Sequence, residues 1–177
     1  RSFLERVLYA APLEEVVALD SEPALEQWLQ RDPLHGDLRL FLSIARDLQL
    51  DTLGRGPGLT LSYGGFADPD GAYAMAPGVW DGDTLQPVNT AQIAEDARHA
   101  WLVDAGAAPH PSVGLTLPQM DKPDAYTWNK APRLDGRVLE TGAMARQLAD
   151  GQPLVRALWQ RTGGNVATRV LSRAIEL

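Results

Sequence analysis

Cysteine is absent from the 177-residue sequence. That excludes disulfides, thiolate metal sites, iron–sulfur ligation and cysteine nucleophiles within these residues. Histidine is scarce: only His35, His99 and His110 occur, so any metal chemistry here would rest on His and carboxylates. Long apolar runs are missing too. None approaches the ~18–20 residues of a membrane-spanning helix, and no basic-then-apolar leader opens the chain. Positive charge is sparse in residues 1–128, with 8 Lys and Arg against 19 Asp and Glu, whereas residues 129–177 carry 8 against 4. With a formal charge of −7 overall, the body lacks the clustered cations that nucleic acid demands, and nucleic acid is not an expected partner. The basic tail reads as a solvated Arg-bearing helix face, or as a surface that meets acidic groups.

What is present suits one domain spanning 1–177. The hydrophobic set makes up 45% of the residues, and a chain of this length buries roughly 70% of its unfolded surface. Helices are predicted over 21–30 and 37–50. Ser21 caps the first, with Pro23 in its opening turn. The second carries Leu38, Phe41, Leu42, Ala45 and Leu48 as one stripe, with Arg39, Arg46 and Asp47 facing away. Residues 1–10 hold a shorter, uncapped stripe headed by Arg1, so the chain is expected to begin inside an element. Strands are predicted over 59–63 and 72–76, from period-two alternation around the Asp68-Pro69-Asp70-Gly71 turn. Asn89 and Gln92 resemble a capping box, and Ile93, Ala97, Ala100 and Trp101 suggest a helix over 90–102. Residues 104–125 hold four prolines and no stripe, an irregular segment of unusual length for an isolated domain. Helices return at 142–149, 153–161 and 165–177. The class expected is α+β, mainly helical: helices flanking a small antiparallel sheet, with a long irregular Pro-rich segment.

Chemical signals are few when read residue by residue. Gly54–Gly58 lacks the Rossmann and Walker spacings and precedes a strand, so it reads as a chain reversal. Glu95 and His99 stand four apart and could share a metal on a helix, but no third ligand accompanies them. His110 sits between Pro109 and Pro111 with no triad partner near, and no serine lies in a nucleophile elbow. Of five tryptophans, Trp28 and Trp101 are expected in the core.

One block changes the reading. Tyr126-Thr127-Trp128-Asn129-Lys130-Ala131-Pro132-Arg133, continuing through Glu140 to Arg146, resembles the large subunit of nickel–iron hydrogenases. That family carries Tyr-Ser/Thr-Trp-x-Lys-Ala-Pro-Arg-Tyr-x-Gly-x-x-x-Glu-Val-Gly-Pro-Leu-Ala-Arg. Three further blocks agree in order: Leu61–Phe66 with a Ser-x-Gly-x-Phe strand, Pro77-Gly78-Val79 with a Pro-Gly-Gly/Val turn, and Ile93–Trp101 with an Ile-x-Glu-x-x-x-His-Ser-Trp helix. Gly164–Val170 fits less specifically. The departures are Leu134 for an aromatic, Thr141 for Val and Ala143-Met144 for Pro-Leu.

The resemblance implies a middle segment of a subunit that oxidises or produces dihydrogen. It implies a nickel–iron centre in the complete protein, held by two Cys-x-x-Cys pairs, one near each end. Neither pair is here, nor the family's later Ala-Pro-Arg motif, so Arg133 inherits no catalytic role and no cofactor is expected in this chain. His99, Trp101, Lys130, Arg133, Glu140 and Arg146 are expected to be structural, the charged ones pairing with each other and with carbonyls around an irregular turn. The implied partners are the rest of the large subunit and an iron–sulfur small subunit, with a homo-oligomer when isolated. A maturation scaffold-like paralogue without its own metal centre is the alternative, with maturation proteins as partners. Location would be cytoplasmic, or at a membrane through a partner.

Overall fold

A computed structural model describes residues 1–104 and 106–177. Ala105, within the segment expected to be irregular, lies outside the described residues. The chain divides into two compact units: residues 1–87 with 140–177, and residues 88–139.

The first unit opens with a π-helical turn, Leu4–Leu8, and short α1, Leu13–Val17. Helix α2, Glu22–Arg31, starts as expected, with Ser21 Oγ accepting from the Ala24 N–H and a proline in the first turn. It buries Trp28 and Leu29. Helix α3, Asp37–Asp47, follows Gly36, whose φ of +92° and place against the Tyr9 carbonyl demand glycine: a Cβ would lie 2.9 Å from that carbonyl carbon. Leu38 and Ala45 face inward as the stripe predicts, but Arg39 does not face away. It is 3% exposed and donates to the carbonyls of Trp28, Tyr9, Ala10 and His35, with its guanidinium 3.9 Å from the centre of the Trp28 ring. Free helix-end carbonyls satisfy its donors where no carboxylate does, and the aromatic face adds a cation–π contact. The helix stops at Asp47, short of the expected 50, because Gln49 turns left-handed (φ +53°) into a 3₁₀ turn.

Strands β1, Thr60–Ala67, and β2, Tyr73–Trp80, form a hairpin closed by Asp68, whose carboxylate accepts from the Asp70 and Ala72 N–H groups. Strand β3, Leu85–Gln86, returns against β2 after a turn in which Asp81 accepts from Asp83 and Thr84. The sheet is mixed, not antiparallel as expected. After the 88–139 insertion the chain comes back as β6, Glu140–Thr141, lying parallel to β1 with Glu140 beside Thr60, and the strand order is β3-β2-β1-β6. A parallel pair needs a long connection, which the insertion supplies.

Helices α4 (Ala143–Asp150), α5 (Pro153–Thr162) and α6 (Val166–Glu176) complete this unit. One cluster joins Trp28, Leu38, Leu154 and Leu171; another joins Trp80, Met144, Leu148 and Trp159. Leu148 and Leu154 are fully buried, and each such side chain stabilises by about 1.5–3 kcal/mol.

In the second unit the helix expected over 90–102 is replaced. A single 3₁₀ turn, Thr90–Gln92, leads into β4, Ile93–Asp96, which pairs antiparallel with β5, Ala131–Leu134. Asn89 caps only Ala91, the Glu95 N–H bonds to the Pro109 carbonyl, and the Asp96 carboxylate takes the Arg98 N–H. Those bonds use up the groups a helical ladder would need. Residues 103 and 119 are stitched to 117 and 101 by backbone bonds. Among the described residues of this unit, Ala97, Ala100 and Leu102 form a buried apolar cluster, and Trp101 is half-buried instead of in the core.

Candidate functional site

The residues of the recognised motifs gather in two places, one in each unit. In the first unit, Glu140 on β6 accepts from Arg169 on α6 through both carboxylate oxygens, the Nη2 bond being 2.8 Å, while Arg169 Nη1 donates to the Gly54 carbonyl at 2.5 Å. This explains the glycine at position 56. A Cβ on Gly56 would collide with Glu140 Oε2 and stand 3.0 Å from Arg169 Nη2, so the backbone packs directly against the ion pair. Arg146 on α4 makes a second two-pronged pair with Glu176 on α6, with Nη2 to Oε2 at 2.9 Å and Arg173 on the same carboxylate. The Arg146 guanidinium, with help from Arg173, holds the Glu176 carboxyl below its usual range.

In the second unit, Lys130 Nζ donates to Glu95 Oε2 at 2.6 Å across the foot of the β4–β5 pair, and Gly114 lies so close that a Cβ would stand 3.0 Å from that oxygen. His99 stacks on Tyr126 with centroids 5.6 Å apart, and Trp101 tilts against Trp128 at 5.4 Å. Lys122 Nζ ties together the carbonyls of Ala97 and Leu102 at 2.7 and 2.9 Å. Arg133 donates to the Pro132 carbonyl. It lines an open cleft of about 350 Å³ with Asp96, Arg98 and Asp104. Hydrogen bonds from the Arg98 guanidinium and N–H hold the Asp96 carboxyl well below the usual carboxylate range.

Of the four charged residues expected to pair with one another, Arg133 bonds only to a carbonyl and the other three pair outside that set. Lys130, Glu140 and Arg146 each take a partner about thirty residues or more away: Glu95, Arg169 and Glu176. Sequence reading missed Glu176 altogether. Arg169 stood in the least specific block, Gly164–Val170, so a signal for it existed. Glu95 and His99 share no helix, and Glu95 is committed to Lys130. His35 pairs with Asp32 and His110 with Ser112. Among the described residues no group of three or more His, Asp or Glu is placed to hold a metal. With no thiolate in the sequence, the residues present do not fit a nickel–iron centre.

Comparison with known proteins decides the family. The family model for nickel-dependent hydrogenases matches residues 36–169. The chain belongs to the nickel-dependent hydrogenase family. The Hydrogenase-1 large chain of Citrobacter freundii is 34% identical over 116 residues, covering 50% of this chain and 19% of that protein. The periplasmic NiFeSe hydrogenase large subunit of Desulfomicrobium baculatum is 29% identical over 109 residues, covering 56% and 21%. A solved structure of the Dm. baculatum NiFeSe hydrogenase superposes with a TM-score of 0.69 at 23% identity, over 88% of this chain and 37% of that one. One from Desulfovibrio vulgaris Hildenborough gives 0.67 at 20%, over 89% and 38%. These likenesses show a shared fold. This hydrogenase-family chain spans about a fifth of the length of the curated relatives it matches.

Proposed function

We propose that the chain is an internal portion of a nickel–iron hydrogenase large subunit, a scaffold segment that frames the metal-bearing parts without ligating the metal. The observation that carries this reading is the family match over 36–169 in a sequence with no cysteine. In the complete subunit a nickel–iron centre supplies the dihydrogen chemistry. Here the paired side chains do mechanical work: Glu140–Arg169 fixes β6 to α6 and the glycine segment, Arg146–Glu176 fixes α4 to α6, and Lys130–Glu95 fixes the β4–β5 ladder. Both compact units are parts of that one portion, and the whole subunit works with an iron–sulfur small subunit.

The test has two arms. Metal analysis of the purified chain after dialysis against a chelator is expected to find no retained nickel, and a hydrogen-dependent dye-reduction assay no turnover. The parent reading frame is expected to carry Cys-x-x-Cys pairs on both sides of this segment. Stoichiometric nickel surviving dialysis, or turnover by the chain alone, overturns the reading. A parent without any cysteine pair transfers the case to a maturation scaffold-like paralogue.

A further inference from the structure

The second unit carries a surface out of proportion to its interior. Among the described residues its buried apolar side chains are four of small or medium size, Ala97, Ala100 and Leu102 in one cluster and Leu134 apart from it. Against this, Val113, Leu115, Leu117, Met120, Tyr126 and Trp128 stand between 49% and 74% exposed. Their exposed areas, polar atoms included, sum to roughly 700–800 Å², comparable with the share one side contributes to a standard protein interface. The backbone beneath is not loose. Val103 N–H bonds to the Leu117 carbonyl, Gln119 N–H to Trp101, Tyr126 N–H to His99, and Lys122 Nζ pins the carbonyls of Ala97 and Leu102. A few main-chain bonds thus anchor the segment at Val113, Leu117, Gln119 and Tyr126 while large side chains stand exposed, and anchoring before binding lowers the ordering cost. Charge is nearly absent: residues 113–128 carry Asp121, Lys122 and Asp124, and the lysine is used internally.

We infer that the apolar segment 113–128 is an interface for the metal-bearing remainder of the same large subunit, which meets it with an uncharged, apolar face bordered by cations opposite Asp121 and Asp124. This rests on the reading of the chain as an internal portion. The occupant follows from length and area. The curated relatives extend over about five times the share matched here, so most of such a subunit lies outside these residues. A unit of about fifty residues with so small an interior is too marginal to leave this area open. A second copy would instead bring two acidic rims together.

Hydroxyl-radical footprinting with mass spectrometry tests this on the 177-residue chain and on the complete subunit. Met120, Tyr126 and Trp128 are expected to be oxidised at least tenfold more slowly in the complete subunit, with no dependence on concentration in the 177-residue chain. Equal rates in the two proteins overturn the inference. So does protection that appears in the 177-residue chain as its concentration rises, which assigns the surface to a second copy. Leu115→Asp adds a second readout: unchanged melting of the 177-residue chain, and lowered melting of the complete subunit. Melting unchanged in both overturns the proposal. Footprinting failure in a parent that carries its cysteine pairs defeats only this inference, whereas a parent without them defeats the underlying reading.

Discussion

The Glu140–Arg169 pair offers a direct measure of whether the recognised motif is mechanical. Arg169 is about one-third exposed at its side chain and Glu140 about one-sixth. The pair therefore sits between exposed ion pairs, worth about 0–1 kcal/mol, and buried ones, whose disruption from one side costs about 3–5 kcal/mol. Glu140→Gln keeps the shape and leaves Arg169 with one neutral acceptor plus the Gly54 carbonyl. A loss of about 1.5–3 kcal/mol is expected. Arg169→Met removes the charge but retains an apolar stem, and exposes Glu140 beside glycine backbone, at about 1–2 kcal/mol. Because each change destroys the same contact, the double variant is expected to cost about 1–2 kcal/mol less than the sum of the two. Urea unfolding followed by near-ultraviolet circular dichroism reports on this unit through Trp28, Trp80 and Trp159. A coupling energy below about 0.5 kcal/mol would refute the assignment of this pair as a structural clamp.

Arg39→Met is expected to be the more severe single change, since it takes the donor from the buried Trp28 and Tyr9 carbonyls; about 3–5 kcal/mol follows, a fall in Tm of roughly 6–20 °C by differential scanning calorimetry. Glu176 adds a pH dependence of known sign. Its carboxyl is held below the usual range in the folded chain by Arg146, so its contribution is present above about pH 4.5 and lost as pH falls through the lowered folded value. Acid titration of stability should show a steeper decline in the native chain than in Glu176→Gln. Phe66 is 78% exposed with φ of +53°, and Phe66→Gly should leave stability unchanged or raise it by up to about 1 kcal/mol; a clear loss on thermal melting would contradict the strain argument.

What could be read from sequence was what depends on near neighbours. The α2 start, most of the α3 stripe and the Asp68 turn are local decisions of capping, periodicity and turn chemistry and appear where those rules put them, whereas Leu48, the last residue of the stripe, lies past the helix and is 63% exposed. The replaced helix at 90–102 shows the limit. Ile93–Asp96 has a partner strand nearly forty residues on, and the Asp96 side chain claims a backbone donor that a helix would use; neither is visible in an apolar period. Arg39 failed for a similar reason, because its acceptors are carbonyls that converge only after α2, α3 and the first turn have packed. The motif itself was legible and placed the chain in its family, yet the partners of Lys130, Glu140 and Arg146 were not, since ion pairing at such separation is fixed by topology.

The insertion of residues 88–139 between β3 and β6 has a consequence for how the first unit can be assembled. Strands β3 and β6 are the two opposite edges of its sheet. The chain leaves one edge and re-enters at the other, about 14 Å away at three strand spacings. During synthesis the sheet and its N-terminal helices emerge long before α4, α5 and α6, so Trp80 and Leu38 wait for Met144 and Leu171 through at least the fifty-two residues between. The early half is left with an uncovered sheet and an unclosed helix layer, the state in which chains mispair or bind chaperones. For an engineer the same geometry sets a rule. A linker replacing the insertion must bridge the sheet's width, so a turn of two or three residues will not close it, whereas about eight to ten flexible residues would.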